Sequence, residues 1–265
     1  MEHYFGRGGL VSVGFFVKNL ETFPQQIAGE YSLQAIYDAA TLQQILASIT
    51  SPTLLAYTQG GGLYAVRQYN DAPGGKIKGV EVNAQSNFTF LPAPFDNFGV
   101  TANYTHISSA LNYLTSATLA TTRTQTTGTA ANAYSVGPFL NTSPDSFNAT
   151  FYYEDKRFSA RVSGAYRTRY VTRFPLASGT CAVGLTTNNG AVCNSPVLTD
   201  FGYRESQLNV DAALSYAVTK FAKLALEGRN LTNVTTYSTE YSANPLAQNY
   251  VSTGRVITAG VRFVF

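Results

Sequence analysis

The stretch that decides the fold reads Phe158-Ser159-Ala160-Arg161-Val162-Ser163-Gly164-Ala165-Tyr166-Arg167-Thr168-Arg169-Tyr170. Taken at every second residue it separates into two series. Phe158, Ala160, Val162, Gly164, Tyr166, Thr168 and Tyr170 form one; Ser159, Arg161, Ser163, Ala165, Arg167 and Arg169 form the other. Alternate side chains of a β-strand point to opposite faces, so this is a strand with one apolar face and one strongly polar face. Outward from it, Leu208, Val210, Ala212, Leu214, Tyr216 and Val218 alternate with Asn209, Asp211, Ala213, Ser215 and Ala217. At the C-terminus Ile257, Ala259, Val261, Phe263 and Phe265 alternate with Thr258, Gly260, Arg262 and Val264. Segments of the same kind cover about 10–19, 63–70, 77–91, 98–108, 146–155 and 222–237, which predicts about nine strands.

Most of these run longer than the usual 5–6 residues of a globular strand and match the roughly 9–11 residues of a tilted strand crossing a bilayer. A soluble β-sandwich with one solvated face is the competing fold, and its strands are shorter. Arg161, Arg167, Arg169, Glu227 and Arg229 alternate with apolar positions, as expected where one face meets lipid and the other a wet lumen. Charged residues are 12% of the 265, half of the roughly 25% usual in a soluble domain. Aromatic residues are 13%, all Tyr (18) and Phe (17), and they recur near strand ends where amphipathic rings favour an interface. The net charge of +3 is too small and too scattered for nucleic-acid binding. No apolar run exceeds four residues, so a transmembrane helix is excluded, and Met1 to Gly9 carries no pattern of a secretory signal.

The connections sort by length. Short turns are expected near Asp155-Lys156, near Thr219-Lys220 and at 92–97, and long polar segments at 110–145, 171–205 and 238–254. Outer-membrane barrels have short periplasmic turns and long extracellular loops. The segment 20–62 is long too, yet counting strands back from the C-terminus assigns it to the periplasmic end. Within it 32–49 has helical spacing (Leu33, Ile36, Tyr37, Ala40, Leu42, Ile45, Leu46, Ile49), with Ser32 as its expected cap and Ser51-Pro52 after its end. This predicts a short helix beneath a barrel; a partner-binding helix is the alternative.

Three sets of residues carry more specific information. The chain ends Gly260-Val261-Arg262-Phe263-Val264-Phe265, a Gly-x-x-aromatic-x-aromatic signal in which Gly260, Phe263 and Phe265 resemble the closing strand recognised by the barrel-assembly machinery. Upstream stand Glu227-Gly228-Arg229-Asn230-Leu231-Thr232-Asn233 with Tyr237 beyond, then Gly254-Arg255 opening the last strand. Further upstream are Gly79-Val80-Glu81-Val82, Phe90-Leu91-Pro92, and Phe98-Gly99-Val100-Thr101-Ala102-Asn103-Tyr104-Thr105, with Tyr4-Phe5-Gly6 and Gly14-Phe15-Phe16-Val17-Lys18 before them. In order and spacing, these resemble the C-terminal barrel of TonB-dependent outer-membrane receptors over almost the whole chain.

The resemblance implies an all-β fold, in which 1–265 is the C-terminal part of an antiparallel transmembrane β-barrel of 22 strands, without the plug domain. Residues 2–5 read as the end of a tenth strand. It implies energy-dependent uptake of a scarce ligand of the siderophore, cobalamin or oligosaccharide class. Its implied partners are outer-membrane lipid, the barrel-assembly machinery, and the TonB complex acting through an N-terminal part outside this chain. No cofactor or metal is implied. Cys181 and Cys193, inside a long outer loop, are expected to form a disulfide worth about 3 kcal/mol; a metal pair would need further Cys or His nearby. Arg167, Arg169 and Arg173 are candidate lumen or ligand contacts for an anion, with solvated wall as the alternative. Gly6-Arg7-Gly8-Gly9 and Gly60-Gly61-Gly62 read as turns, and the Asn-x-Thr triplets at Asn87, Asn103, Asn148, Asn230 and Asn233 as composition. His3 and His106 have no nucleophile arrangement around them, which argues against an enzyme. A passive pore or structural barrel is the second reading.

Overall fold

The structure is a computed structural model and describes residues 1–6, 8–116, 133–176, 181–182 and 196–263. In chain order its elements are β1 (Glu2–Phe5), β2 (Gly9–Leu20), β3 (Phe23–Ser32), α1 (Leu33–Ile36), α2 (Ala39–Ser48), α3 (Pro52–Gln59), β4 (Leu63–Ala72), β5 (Gly74–Asn87) and β6 (Phe98–Ser116). There follow β7 (Ala133–Gly137), β8 (Asp145–Glu154), β9 (Phe158–Arg167), β10 (Tyr170–Arg173), β11 (Cys181–Ala182), β12 (Pro196–Val197), β13 (Gly202–Arg204) and β14 (Gln207–Ala217). The last are β15 (Ala222–Arg229), β16 (Thr235–Glu240), β17 (Leu246–Ser252) and β18 (Val256–Phe263).

One antiparallel sheet dominates, in the order β1-β2-β5-β6-β8-β9-β14-β15-β18, with β7 added to the far end of β6. The sheet is open: β1 and β18 are its edges among the described strands. Its register sorts the side chains cleanly. Val82 pairs with Val13 and Tyr104, Phe147 with Tyr104 and Tyr166, Leu214 with Ala160 and Leu226, and Leu226 with Ala259. One face is thus built of Val, Leu, Ala, Phe and Tyr. Among the described residues nothing covers it: Phe15 is 83% exposed, Ile257 71% and Phe263 61%. An uncovered apolar surface nine strands wide far exceeds the few hundred Å² that a soluble monomer tolerates, so this is a lipid-facing, convex face. The other face carries Glu81, Asn83, Thr101, Asn103, Asn148, Arg161, Ser163, Asn209, Asp211, Glu227 and Arg262 at the opposed positions.

At one end all connections are short. Asp155 explains one of them: its Oδ1 accepts from the Arg157 and Phe158 amides at 2.7 Å each, an Asx turn between β8 and β9. The same end holds a belt of rings, with centroids of Phe98 and Tyr153 4.9 Å apart, Phe98 and Phe151 5.2 Å, and Phe88 and Phe90 5.8 Å. This is an aromatic girdle at a membrane interface.

Two expectations need correction. The strand at 63–70 exists as β4, but it pairs with β3 in a separate two-stranded ribbon and is absent from the wall. Its place in the count is taken by β1. Period two shows that a segment is a strand, not which strand it pairs with, and that one exchange reverses the parity. Leu20 at the end of β2 pairs with Gly75 at the start of β5, so the excursion 21–73 leaves from the end that also gives rise to 117–144, 168–206 and 230–255. It belongs with the long outer loops rather than beneath the barrel. The helical part also differs. Ser32 makes no capping bond, the helix restarts after Asp38, whose Oδ1 accepts from Ala40 and Thr41 at 3.0 and 2.9 Å, and Ser51-Pro52 opens a third helix rather than ending the run.

Candidate functional site

The concave face has three zones. Midway along the strands, Ser12, Asn83, Asn103, Asn148 and Asn209 fall on one line of paired positions across the sheet, interrupted only by Ala165. Asn148 Nδ2 donates to Asn103 Oδ1 at 2.8 Å and Asn83 Nδ2 to Ser12 Oγ at 3.3 Å. Nearer the short turns lies a charged hollow of about 610 Å³ that includes Glu154, Arg161, Lys223, Glu227 and Arg262.

The third zone is the mouth at the excursion end, and it holds the main buried core. Ile77 and Leu111 project from the concave side of β5 and β6 and pack with Tyr113, Val171 and Phe174, while Phe16, Leu20, Phe23, Ile107, Leu140, Phe201 and Tyr203 complete the cluster. The rings interlock. Phe23 meets Tyr113 edge-on at 5.2 Å, Tyr113 meets Phe174 at 5.4 Å, and Phe174 stacks on Phe201 at 4.5 Å. Gly137 must lack a side chain, because a Cβ there would stand 2.7 Å from the Phe174 ring. Gln25 adds a pair of buried hydrogen bonds: its Nε2 donates to the Leu114 carbonyl at 2.9 Å and its Oε1 accepts from the Leu114 amide at 2.8 Å. A four-stranded sheet in the order β10-β13-β16-β17 joins the third and fourth excursions. Beside this core opens a groove of about 820 Å³ between 23–26 and 172–176, lined by Phe23, Gln26, Phe139, Asn141, Arg173 and Phe174.

The three sequence-predicted arginines are not brought together. Arg167 projects from the concave side of β9; its Nε donates to Ser143 Oγ at 2.9 Å and its guanidinium lies 4.0 Å from the Tyr170 ring. Arg169 is held 3.1 Å from Glu205 and stacks 3.6 Å over the Tyr203 ring, whose hydroxyl pKa is raised chiefly by burial. Arg173 lies 3.1 Å from Glu240, whose other oxygen accepts from Gln248 Nε2 at 2.7 Å. Sequence reasoning missed Glu205 and Glu240, because no local spacing links residues 36 and 67 positions away from their partners. Of the three, Arg173 alone lines the mouth groove.

Cys181 lies in the two-residue strand β11, while Cys193 lies outside the described residues, as does Phe265 of the closing signal. Gly260 pairs with Ala225 in β18, and Phe263 is on its convex side opposite Ala222. His106 is on the convex face too, its Nδ1 2.8 Å from Asp145 Oδ1, which also accepts from the Tyr104 hydroxyl at 2.7 Å. No helix among the described residues is long and apolar enough to cross a membrane.

A two-faced antiparallel wall, short turns at one end and long folded excursions at the other define the class: a transmembrane β-barrel wall. A family model for the β-barrel of TonB dependent receptor-like proteins matches residues 4–231, and the chain belongs to that family. Among solved structures it is similar to the siderophore receptor PiuA from Acinetobacter baumannii, at 14% identity and a TM-score of 0.49, over 96% of this chain and 26% of that one. The chain thus spans about a quarter of that receptor's length. No curated protein matches it.

Proposed function

We propose that this chain is the C-terminal wall segment of an outer-membrane receptor that imports a scarce ligand of the siderophore, cobalamin or oligosaccharide class. The plug and the segment engaged by the TonB complex would lie elsewhere in the protein. One observation carries the reading: the wall has an apolar face that no described residue covers, a polar concave face, and all four long excursions at the same end. The two open sheet edges support a larger barrel, since unpaired backbone groups in lipid cost several kcal/mol each. Ligand contact is assigned to the mouth groove, where aromatic rings, Gln26, Asn141 and Arg173 combine apolar area with a few hydrogen-bonding groups. Gly260, Phe263 and Phe265 serve as the closing-strand signal for the assembly machinery.

The test is uptake of labelled ferric siderophores, cobalamin and maltooligosaccharides by cells with and without the gene. Uptake of one ligand class that vanishes on gene deletion, and also on loss of TonB, is the expected result. Unselective entry of many solutes that continues without TonB would identify a passive pore instead.

A further inference from the structure

Acidic and basic side chains are frequent on the concave side of the wall and confined to one spot on the convex side. Among the described wall strands, the Lys, Arg, Asp and Glu residues on the convex face are Lys76, Lys78 and Asp145, at the excursion end of β5 and β8. Asp145 is already engaged by Tyr104 and His106. Lys76 and Lys78 are exposed, and among the described residues neither has an acidic partner. They are neighbours on one face of one strand, roughly 7 Å apart.

Their height is informative. An apolar band about 25 Å tall, crossed by strands tilted about 40° and rising about 3.4 Å per residue, takes roughly ten residues. Counted up β6 from the girdle residue Phe98, that reaches Ser108, which pairs with Lys78; Lys76, opposite Ala110, is one step higher. The two ammonium groups therefore lie where the acyl chains end and the headgroups begin. Asn19 and Ser108 flank them on the adjacent strands with further hydrogen-bonding groups. Two unpaired cations at that level are complementary to a phosphate, which offers several strong acceptor oxygens.

We propose that Lys76 and Lys78 form a docking surface for the anionic phosphate headgroup of a lipid packed against the convex face at the excursion end. This rests on the reading that the convex face meets lipid. The full-length protein is extracted from outer membranes and placed in phosphatidylcholine nanodiscs doped with phosphatidic acid or with diacylglycerol of the same chains. Bound lipid is counted by native mass spectrometry. The expected result is retention of phosphatidic acid over diacylglycerol, reduced about tenfold in Lys76→Gln/Lys78→Gln and unchanged in Lys156→Gln/Lys220→Gln at the opposite rim. Equal retention of the two lipids by the unmodified protein would overturn the inference alone, as would equal loss in both variant pairs. Failure of the unmodified protein to insert would overturn the membrane reading and the inference together.

Discussion

Asn230 and Asn233 both adopt left-handed backbone, with φ of 53° and 52°, a conformation Asn tolerates better than other non-glycine residues. Their surroundings explain the Asn-Leu-x-Asn pattern physically. Asn230 Nδ2 donates to the Gly254 carbonyl at 2.8 Å, its Oδ1 accepts from the Val234 amide at 2.7 Å, and its own amide donates to Asp211 Oδ1 at 2.8 Å. The Leu231 carbonyl accepts from Arg255 Nε at 2.9 Å, which ties the Gly-Arg pair into the same turn. A Cβ at Gly228 would come within 2.8 Å of Leu231 Cδ2, so the end of β15 packs closely against this turn. Asn230→Ala loses the side-chain hydrogen bonds to Gly254, Val234 and, at 3.4 Å, the Thr253 hydroxyl, together with the left-handed tolerance, and should cost about 2–3 kcal/mol, read as a lower midpoint in denaturant-dependent electrophoretic mobility. Asp155 gives a pH prediction. The Phe158 and Arg157 amides, with the Tyr153 hydroxyl, hold its carboxyl below the usual range. A lowered folded-state pKa means that its contribution is complete above the unfolded value near 3.9 and is lost as pH falls through the folded value. Amide exchange at Arg157 and Phe158, corrected for intrinsic rate, should therefore accelerate on going from pH 5 to pH 2.5, and Asp155→Asn should remove that pH dependence.

Among the elements, the excursion 21–73 makes the sharpest prediction, because its assignment to the outer end follows from one pairing, Leu20 with Gly75. On a Cys181→Ser/Cys193→Ser background, Thr53→Cys should react with a membrane-impermeant thiol reagent on intact cells, and Lys156→Cys should react only after lysis. The reverse pattern would place the excursion on the inner side. Wall strands were legible in the sequence because each has one face in lipid and one in a polar lumen, which imposes alternation over the whole length. β3 and β4 alternate too, and nothing in period two distinguishes a ribbon pairing with itself from a wall strand. The strands β10, β13 and β17 lie almost wholly in segments whose sequence reads as polar loop, and the single strand expected over 222–237 is divided between β15 in the wall and β16 outside it. Strands β10, β13, β16 and β17 are short, and their pairing is stabilised by contacts such as Arg169 with Glu205 and Arg173 with Glu240, which arise only when distant excursions meet. The aromatic core at the mouth was hidden for the same reason: Phe23, Tyr113, Phe174 and Phe201 each stand alone in their own segment.

At the scale of the whole molecule, the two faces of the wall should respond in opposite ways to the same substitution. Val82 lies mid-band on the convex face, paired with Tyr104 six residues along β6 from the girdle residue Phe98, while its neighbour Asn83 faces the lumen opposite Ser12 and Asn103. Val82→Arg should destabilise the inserted protein by about 2–4 kcal/mol, the cost of an arginine near the bilayer midplane. Asn83→Arg should be nearly neutral. Both are read as the folded fraction on heating in detergent, and equal effects would contradict the facing of the wall. The belt of Asn83, Asn103, Asn148 and Asn209 has a further consequence. Amides bind a neighbour through neutral hydrogen bonds worth about 0.5–1.5 kcal/mol net, and water replaces each of them at little cost. A body seated against such a belt can let go one contact at a time, so the midsection of the lumen behaves as a lubricated sleeve rather than an adhesive one.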